Sequence, residues 1–262
     1  MSYHKTKSVE KRSNTSLLVS LFMLLFFGIS NNLDAQSGDS TNLEVRNQQI
    51  WIDFYPHYYV NEKLEYYGDL GYRTTVSENS WNRFYSRPSV KYHFNKKWEI
   101  QSGVGVFYIF DKQNINQFEV TPWQGVQWNW MRLKRLKIHH LVKLEERWSF
   151  LTTNWESDFE FRFRYKLSGK LILNEKWAIP AYGEMFVPLS GEIAELYRNK
   201  GRAGVGLSYK ATKEWVFSFL FNWQGSKTGM DEELGVNDYV YQLKIKKVWH
   251  NVIKKPHKKT KQ

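Results

Sequence analysis

Much of the chain alternates between apolar and polar side chains, with the period of two that is typical of β-strands. The clearest stretch runs from Asp158 to Leu167. One of its faces carries Phe159, Phe161, Phe163, Tyr165 and Leu167, and the other carries Glu160, Arg162, Arg164 and Lys166. A strand with one apolar and one charged face fits a wall with lipid outside and a polar lumen inside.

The same alternation recurs in stretches of roughly 10–13 residues, longer than the strands of about 5–6 residues that soluble sheets use. Eleven such stretches end near residues 60, 76, 94, 110, 131, 151, 173, 189, 211, 226 and 249. Bacterial single-chain barrels have even strand numbers. We therefore expect about twelve strands, with the remaining one at Thr41 to Arg46 and both chain ends on the periplasmic side, and ten strands as the fallback.

One short polar turn is used four times between these stretches. Its copies are Asn61-Glu62-Lys63-Leu64, Asn95-Lys96-Lys97-Trp98, Asn174-Glu175-Lys176-Trp177 and Thr212-Lys213-Glu214-Trp215. Longer polar segments join the strands at their other ends, and this asymmetry is typical of outer-membrane barrels, whose short turns face the periplasm. The pattern predicts an all-β, antiparallel up-and-down transmembrane β-barrel.

The amino-acid composition supports a membrane barrel. Aromatic residues make up 17% of the chain, with 12 Trp and 16 Tyr, although the mean hydropathy is only −0.60. Trp and Tyr are favoured at the lipid–water boundary, where one end of the side chain is apolar and the other is wet. The chain has no Cys, which excludes disulfides, thiolate catalysis and Cys-ligated metals.

The two ends of the sequence differ from the body. Basic residues Lys5 to Arg12, an apolar run from Leu17 to Ile29 and a small residue at Ala35 predict a cleaved signal peptide over residues 1–35. We assign residues 36–47 to an N-terminal segment with the candidate first strand, 48–249 to the barrel and 250–262 to a basic tail. Residues 1–12 carry +3 and residues 244–262 carry +8, so only +1 of the net +12 remains for the body. A nearly neutral body argues against nucleic-acid binding.

Four short motifs carry a resemblance to a known family. They are Trp81-Asn82-Arg83-Phe84-Tyr85-Ser86-Arg87-Pro88, Pro122-Trp123-Gln124-Gly125, Leu144-Glu145-Glu146-Arg147 and Phe161-Arg162-Phe163-Arg164-Tyr165. In this order and spacing they resemble domain of unknown function 2490 (DUF2490), a family of exported proteins of Gram-negative bacteria, over about Ile50 to Ile245. The resemblance implies an outer-membrane β-barrel and no assigned activity. Such proteins commonly stop at an aromatic residue, whereas here 13 residues follow Trp249.

The alternation predicts which charged side chains point into the lumen. They are Arg73, Arg83, Arg87, Glu119, Glu145, Arg147, Glu160, Arg162, Arg164, Glu184 and Arg202, with Asp53, Asp69, Lys91 and Glu99 beside them. Two interpretations stay open. A charged ring could select solutes in a narrow channel, or ion pairs could fill the lumen and give the barrel a structural role, since charges withdrawn from water need partners.

An outer-membrane enzyme acting on lipid or envelope polymer is the alternative function. Successive strand residues face opposite sides, so Glu145 and Glu146 cannot share a site, and His140 and Ser149 fall on opposite faces of one strand. We therefore assign no catalytic, cofactor-binding or metal-binding residues and no cofactor. The expected partner is the lipid of the outer membrane.

Overall fold

The computed structural model describes residues 47–76, 81–111, 115–190, 201–226 and 235–250. Within these ranges the chain forms eleven β-strands. They are β1 (Asn47–Tyr59), β2 (Leu64–Thr75), β3 (Trp81–His93), β4 (Trp98–Asp111), β5 (Gln117–Arg132), β6 (Leu136–Leu151), β7 (Ser157–Ile172), β8 (Trp177–Ser190), β9 (Gly201–Lys210), β10 (Trp215–Ser226) and β11 (Gly235–His250). The predicted signal peptide, the candidate first strand at Thr41 to Arg46 and the tail beyond residue 250 lie outside the described residues.

The strands form one closed barrel in which each strand pairs with its neighbours in sequence. All neighbours along the chain are antiparallel, as an up-and-down barrel requires. The predicted fold class is confirmed. The described strands number eleven, between the expected twelve and the fallback of ten, and they coincide with the eleven alternating stretches of the sequence.

The barrel closes through a parallel seam between β1 and β11. Their register runs without a break from Asn47 opposite Asp238 to Tyr59 opposite His250. Neighbours in an up-and-down sheet run in opposite directions, so an odd number of strands makes the first and last run the same way. The expectation that both ends of the barrel chain lie on one side is therefore wrong for the described strands: β1 starts at one end of the barrel and β11 finishes at the other.

The repeated short turns share one geometry and define what we call the short-turn end of the barrel. In the turn after β3, Asn95 Oδ1 accepts hydrogen bonds from the backbone N–H groups of Lys97 at 2.7 Å and Trp98 at 3.0 Å. The side chains of Asn61, Asn174 and Thr212 accept the equivalent pairs. A side chain that satisfies its own turn in this way fixes where the next strand begins.

One turn also carries a surface ion pair. Lys247 Nζ donates a hydrogen bond to the exposed carboxylate of Glu214. The hydrogen bond and the positive charge of Lys247 hold the pKa of Glu214 below its ordinary value. This contact links the turn before β10 to the end of β11.

Burial alternates along the strands in the sense opposite to that of a soluble protein. Ile52, Leu144 and Phe219 are 47%, 38% and 54% exposed, whereas Asp53 and Asn222 are fully buried. The apolar side chains therefore face outward and the polar ones fill the interior. An apolar exterior over the whole strand length is what a lipid environment requires. No described segment is a helix of the length and hydropathy that a membrane span needs.

Aromatic side chains form an outward-facing girdle near the short-turn end. Trp98 stacks on Trp128 with ring centroids 5.9 Å apart, and Trp177 packs against Tyr209 at 4.7 Å. Because the repeated turn places a Trp at the first position of β4, β8 and β10, these rings lie at the same height on alternate strands. Such a belt is typical of the boundary between lipid and water.

The parallel seam can be tested by cross-linking, because the chain has no native Cys. Ile52 and Leu243 are opposite each other across the seam and both face outward. We expect Ile52→Cys with Leu243→Cys to form a disulfide on oxidation, since adjacent strands are only about 4.8 Å apart. Non-reducing electrophoresis after a protease cut between the two positions reads this out.

The matched control for the seam pairs Ile52→Cys with Gln242→Cys, which lies on the opposite face of the wall. A strand between β1 and β11 would roughly double the separation and leave both double variants unlinked. That result would show that the parallel seam is absent from the folded protein.

A second test concerns the outward face. We expect Leu144→Arg, near the middle of β6, to lower the free energy of unfolding in lipid by about 2–4 kcal/mol, because a charge at the bilayer midplane is poorly solvated. Leu133→Arg, in the turn before β6, should cost only about 0–1 kcal/mol near the interface. If urea titrations of protein refolded in vesicles gave equal losses of unfolding free energy for both variants, Leu144 would not lie deeper in the bilayer than Leu133.

Candidate functional site: the charged lumen

The interior of the barrel contains a chain of alternating charges that crosses most of its wall. The groups belong to β3, β5, β6, β7, β8 and β9, and each contacts the next within 4.0 Å. In order they are Arg83, Glu119, Arg147, Glu160, Arg162, Glu145, Arg164, Glu184 and Arg202. We call this set the lumen ladder. It holds nine of the charged residues for which the alternation predicts a lumen position.

Arg147 binds the first two carboxylates of the ladder. Its Nη2 and Nε donate to Glu119 at 2.8 Å and 3.2 Å, and its Nη1 donates to Glu160 at 2.8 Å. The guanidinium group can make all these bonds together because its donors form a rigid planar fork. Arg147 is only 3% exposed, so its charge depends on these two partners rather than on water.

Glu145 holds the centre of the ladder on β6. It accepts hydrogen bonds from Arg162 at 2.6 Å and 2.9 Å and from Arg164 at 3.0 Å. Arg164 also donates to Glu184 at 2.7 Å, and Arg202 approaches the same carboxylate at 3.4 Å. Arg164 therefore bridges carboxylates from both strands beside β7, whereas Arg162 links Glu145 to Glu160 of its own strand and Arg202 contacts Glu184.

Two further predicted residues, Arg73 and Arg87, belong to a second cluster near the seam. Arg87 Nε donates to Asp69 at 2.9 Å. Arg73 lies 3.8 Å from Asp53 and stacks over the ring of Trp51 at 3.8 Å. Arg202, at the end of the lumen ladder, covers the same indole at 4.7 Å. Trp51 thereby joins the two charged clusters by cation–π contacts.

Asp53 ties the seam to the rest of the lumen. Its carboxylate accepts a hydrogen bond from Tyr85 on β3 at 2.6 Å and another from Gln242 on β11. Asn222 on β10 donates to Gln242 at 3.1 Å, and Tyr182 on β8 donates to Asn222 at 2.8 Å. Because Asp53 is fully buried, these contacts replace the hydration it loses on folding.

A third network lies at the short-turn end, where Glu65 and Glu99 face the lumen. His93 bridges the two carboxylates at 3.1 Å and 3.4 Å, and His57 hydrogen-bonds to Glu65. Lys91 lies 3.6 Å from Glu65 and 3.7 Å from Glu99, and Asn129 and Arg132 contact Glu99 at 2.9 Å and 3.7 Å. Both carboxylates are therefore fully engaged.

Sequence reasoning did not identify the aromatic side chains inside the lumen. Trp51, Tyr85 and Phe186 are buried there. The high aromatic content of the sequence had suggested only a belt on the outer surface. The alternation along β3 could have revealed this, because Tyr85 lies between Arg83 and Arg87 on the same face of the strand. Aromatic rings inside the barrel provide faces on which the arginines stack.

Ser149 and His140, the pair considered for hydrolysis of lipid, lie on opposite faces of the wall. Ser149 is buried on the lumen side of β6, whereas His140 stacks on Trp128 on the outer face. No cluster of His, Asp and Glu in the described ranges could hold a metal ion. What the arrangement can do is fill the lumen with mutually neutralising charges.

The sequence profile of a family described as "Protein of unknown function (DUF2490)" matches residues 48–232. The chain belongs to this family. The resemblance seen in the sequence motifs is thus confirmed, and the matched segment covers β2 to β10 and almost all of β1. Among curated proteins, none matches this DUF2490 chain.

Two solved structures share features of the DUF2490 barrel. One is described as the NanC porin, with 10% identity, a TM-score of 0.41 and coverage of 65% of this chain and 78% of that one. The other is the translocator domain of the autotransporter NalP from Neisseria meningitidis, with 10% identity, a TM-score of 0.44 and coverage of 81% and 92%. Identities this low transfer no function.

Two glycines of the DUF2490 barrel provide a test of the network at the seam. A Cβ at Gly204 would lie 2.2 Å from Asn222 Oδ1 and 2.6 Å from the ring of Tyr182. We expect Gly204→Ala to lower the free energy of unfolding by about 1–3 kcal/mol, because overpacking displaces the hydrogen-bonded pair. Gly183→Ala is the matched control, since nothing lies within 4 Å of its Cβ position. Equal stability of the two variants in denaturant titrations would be inconsistent with this packing.

Proposed function

We propose that this chain is an outer-membrane barrel with a structural role, whose lumen is closed by the ladder of ion pairs in the part away from the short turns. Burial carries the proposal. Glu145 and Arg147 on β6 are each 3% exposed, and Asn222 on β10 is fully buried. A water-filled pore would leave such groups in contact with solvent on the lumen side.

Charge balance supports the same role. In the lumen ladder, arginines alternate with glutamates, so most of the cations and all of the anions have two neighbours of opposite sign. A selective channel presents rings of one sign to the permeating ion. A ladder of alternating sign instead neutralises itself and holds six strands together.

The location in the outer membrane is part of the proposal. It is supported by the apolar outer face, the aromatic girdle and the short turns gathered at one end. Separation of cell membranes on a density gradient tests it, with the protein expected in the outer-membrane fraction. Recovery in the soluble fraction or the inner membrane would refute the location.

The role of the lumen is tested with Arg162→Ala. Removing this arginine takes one of two bound arginines from Glu145, and breaking a buried pair costs about 3–5 kcal/mol. If the lumen is filled, we expect refolding titrations to show this decrease in the free energy of unfolding. Conductance in planar bilayers should be near zero for both the wild type and the variant. Lys134→Ala, in an exposed turn, should change neither quantity.

An open channel gives the opposite result. Water would replace the missing partner, so Arg162→Ala would leave stability unchanged and shift the preference between anions and cations. A steady wild-type conductance whose selectivity changes in this way would overturn the structural role.

A further inference from the structure

Three lysines at the short-turn end lie outside the ion-pair networks of the lumen. Lys137 on β6, Lys170 on β7 and Lys210 on β9 share the faces that carry Arg147, Arg164 and Arg202. All three are exposed, so solvent reaches them from the mouth of the barrel. Within the described ranges, none has a carboxylate within ion-pair distance. Lys143 and Lys244, further along the lumen, also have no carboxylate within ion-pair distance in the described ranges, but they lie over the rings of Trp123 and Tyr182.

The lysines also lie close to each other. Lys137 and Lys170 are directly opposite in the register of β6 and β7, an arrangement of like charges that destabilises a sheet. Lys170 is near enough to Lys137 and Lys210 for their charges to repel it. Residues of one sign thus converge at the mouth of the barrel, and no carboxylate in the described part of the chain forms an ion pair with them.

Neighbouring strands offer no compensation. On β5, Arg132 lies opposite Lys137 and adds a further positive charge, and on β8 the lumen residues Ala178 and Pro180 carry no charge. Glu99, whose carboxylate accepts a hydrogen bond from Asn129, is already bound by His93, Lys91 and Arg132 as well. Its charge is therefore shared among three cationic or protonatable groups before it can act on the lysines.

A cavity of about 460 Å³ opens beside Lys137. It is lined by Asn129, Met131, Arg132, Lys137, Ile138 and His139. Arg and Lys side chains donate hydrogen bonds and accept none, so a ligand held by them must supply acceptor oxygens. The volume lies within the usual range for small-molecule pockets, about 300–1,000 Å³.

We propose that the short-turn mouth of the barrel is a binding site for a phosphate group, held by Lys137, Lys170 and Lys210 together with Arg132. A phosphate monoester carries about −1.5 to −2 charge near neutral pH and offers three acceptor oxygens. It therefore neutralises more of this cluster than a single carboxylate can. The site goes beyond the structural role of the barrel, because the closed ladder lies deeper in the lumen than the mouth.

The test uses the full mature chain refolded in zwitterionic detergent, with inorganic pyrophosphate as the probe. Titration calorimetry should detect binding to the wild type, and pyrophosphate should raise its thermal midpoint. In the double variant Lys137→Gln with Lys170→Gln, affinity should fall by about tenfold or more, because two charged donors are lost. Without ligand, this variant should be at least as stable as the wild type, since it relieves like-charge repulsion.

The matched control is Lys134→Gln with Lys213→Gln, which removes the same charge from exposed turns at the same end. It should bind pyrophosphate like the wild type. The proposal fails if the two double variants respond alike, or if chloride at equal ionic strength gives the same thermal shift as pyrophosphate.

A second arm identifies the source of the phosphate group. The wild type and the Lys137/Lys170 variant are refolded into vesicles of phosphatidylcholine alone or with phosphatidic acid, a lipid whose headgroup is a phosphate monoester. If phosphatidic acid stabilises the wild type and not the variant, the ligand is a lipid headgroup. If only pyrophosphate, added to vesicles of phosphatidylcholine, stabilises the wild type and not the variant, the ligand is a soluble phosphate compound. If neither distinguishes the two proteins, the site does not bind phosphate groups.

Discussion

Side chains that point into this barrel lose most of their contact with water, so each interior charge needs a partner of opposite sign within the wall. That constraint explains why Glu145 and Arg147 alternate with Arg162 and Arg164 across β6 and β7. A shift of one residue between these strands would turn the charges toward lipid and the aromatic rings inward. The register of the sheet is therefore specified by the ion pairs as much as by backbone hydrogen bonds.

The parallel seam depends on the same principle. Asp53 on β1 is fully buried and receives hydrogen bonds from Tyr85 and Gln242, which lie on opposite sides of it around the wall. Closure brings β11 against β1 and so supplies one of these donors. Without closure, the carboxylate would lose the hydrogen bond from Gln242 and keep Tyr85 and the more distant Arg73. The seam and the interior network therefore stabilise each other.

The short-turn mouth differs in charge and in access to solvent from the part of the lumen that holds the ladder. Further from the short turns, opposite charges pair and most are buried, which supports a closed barrel. At the mouth, Lys137, Lys170 and Lys210 are exposed and share no carboxylate within ion-pair distance in the described ranges. Lys143 and Lys244 in the lumen also lack a carboxylate partner in the described ranges, but they lie over the rings of Trp123 and Tyr182. The three lysines at the mouth are instead open to a ligand from solution.

The sequence alone determined the strands, their faces and the repeated turns, because each depends on residues close together in the chain. A period of two sets the faces of a strand, and a turn Asn accepts hydrogen bonds from backbone N–H groups two and three residues later. The sequence also placed Arg162 and Arg164 inside, since alternation sets the face of every strand residue. It could not decide that the described strands close as eleven, or that Arg202 meets Trp51 across the seam. Those contacts join residues about 150 positions apart, and which strands meet depends on the curvature and closure of the whole sheet. Only the tertiary structure fixes that.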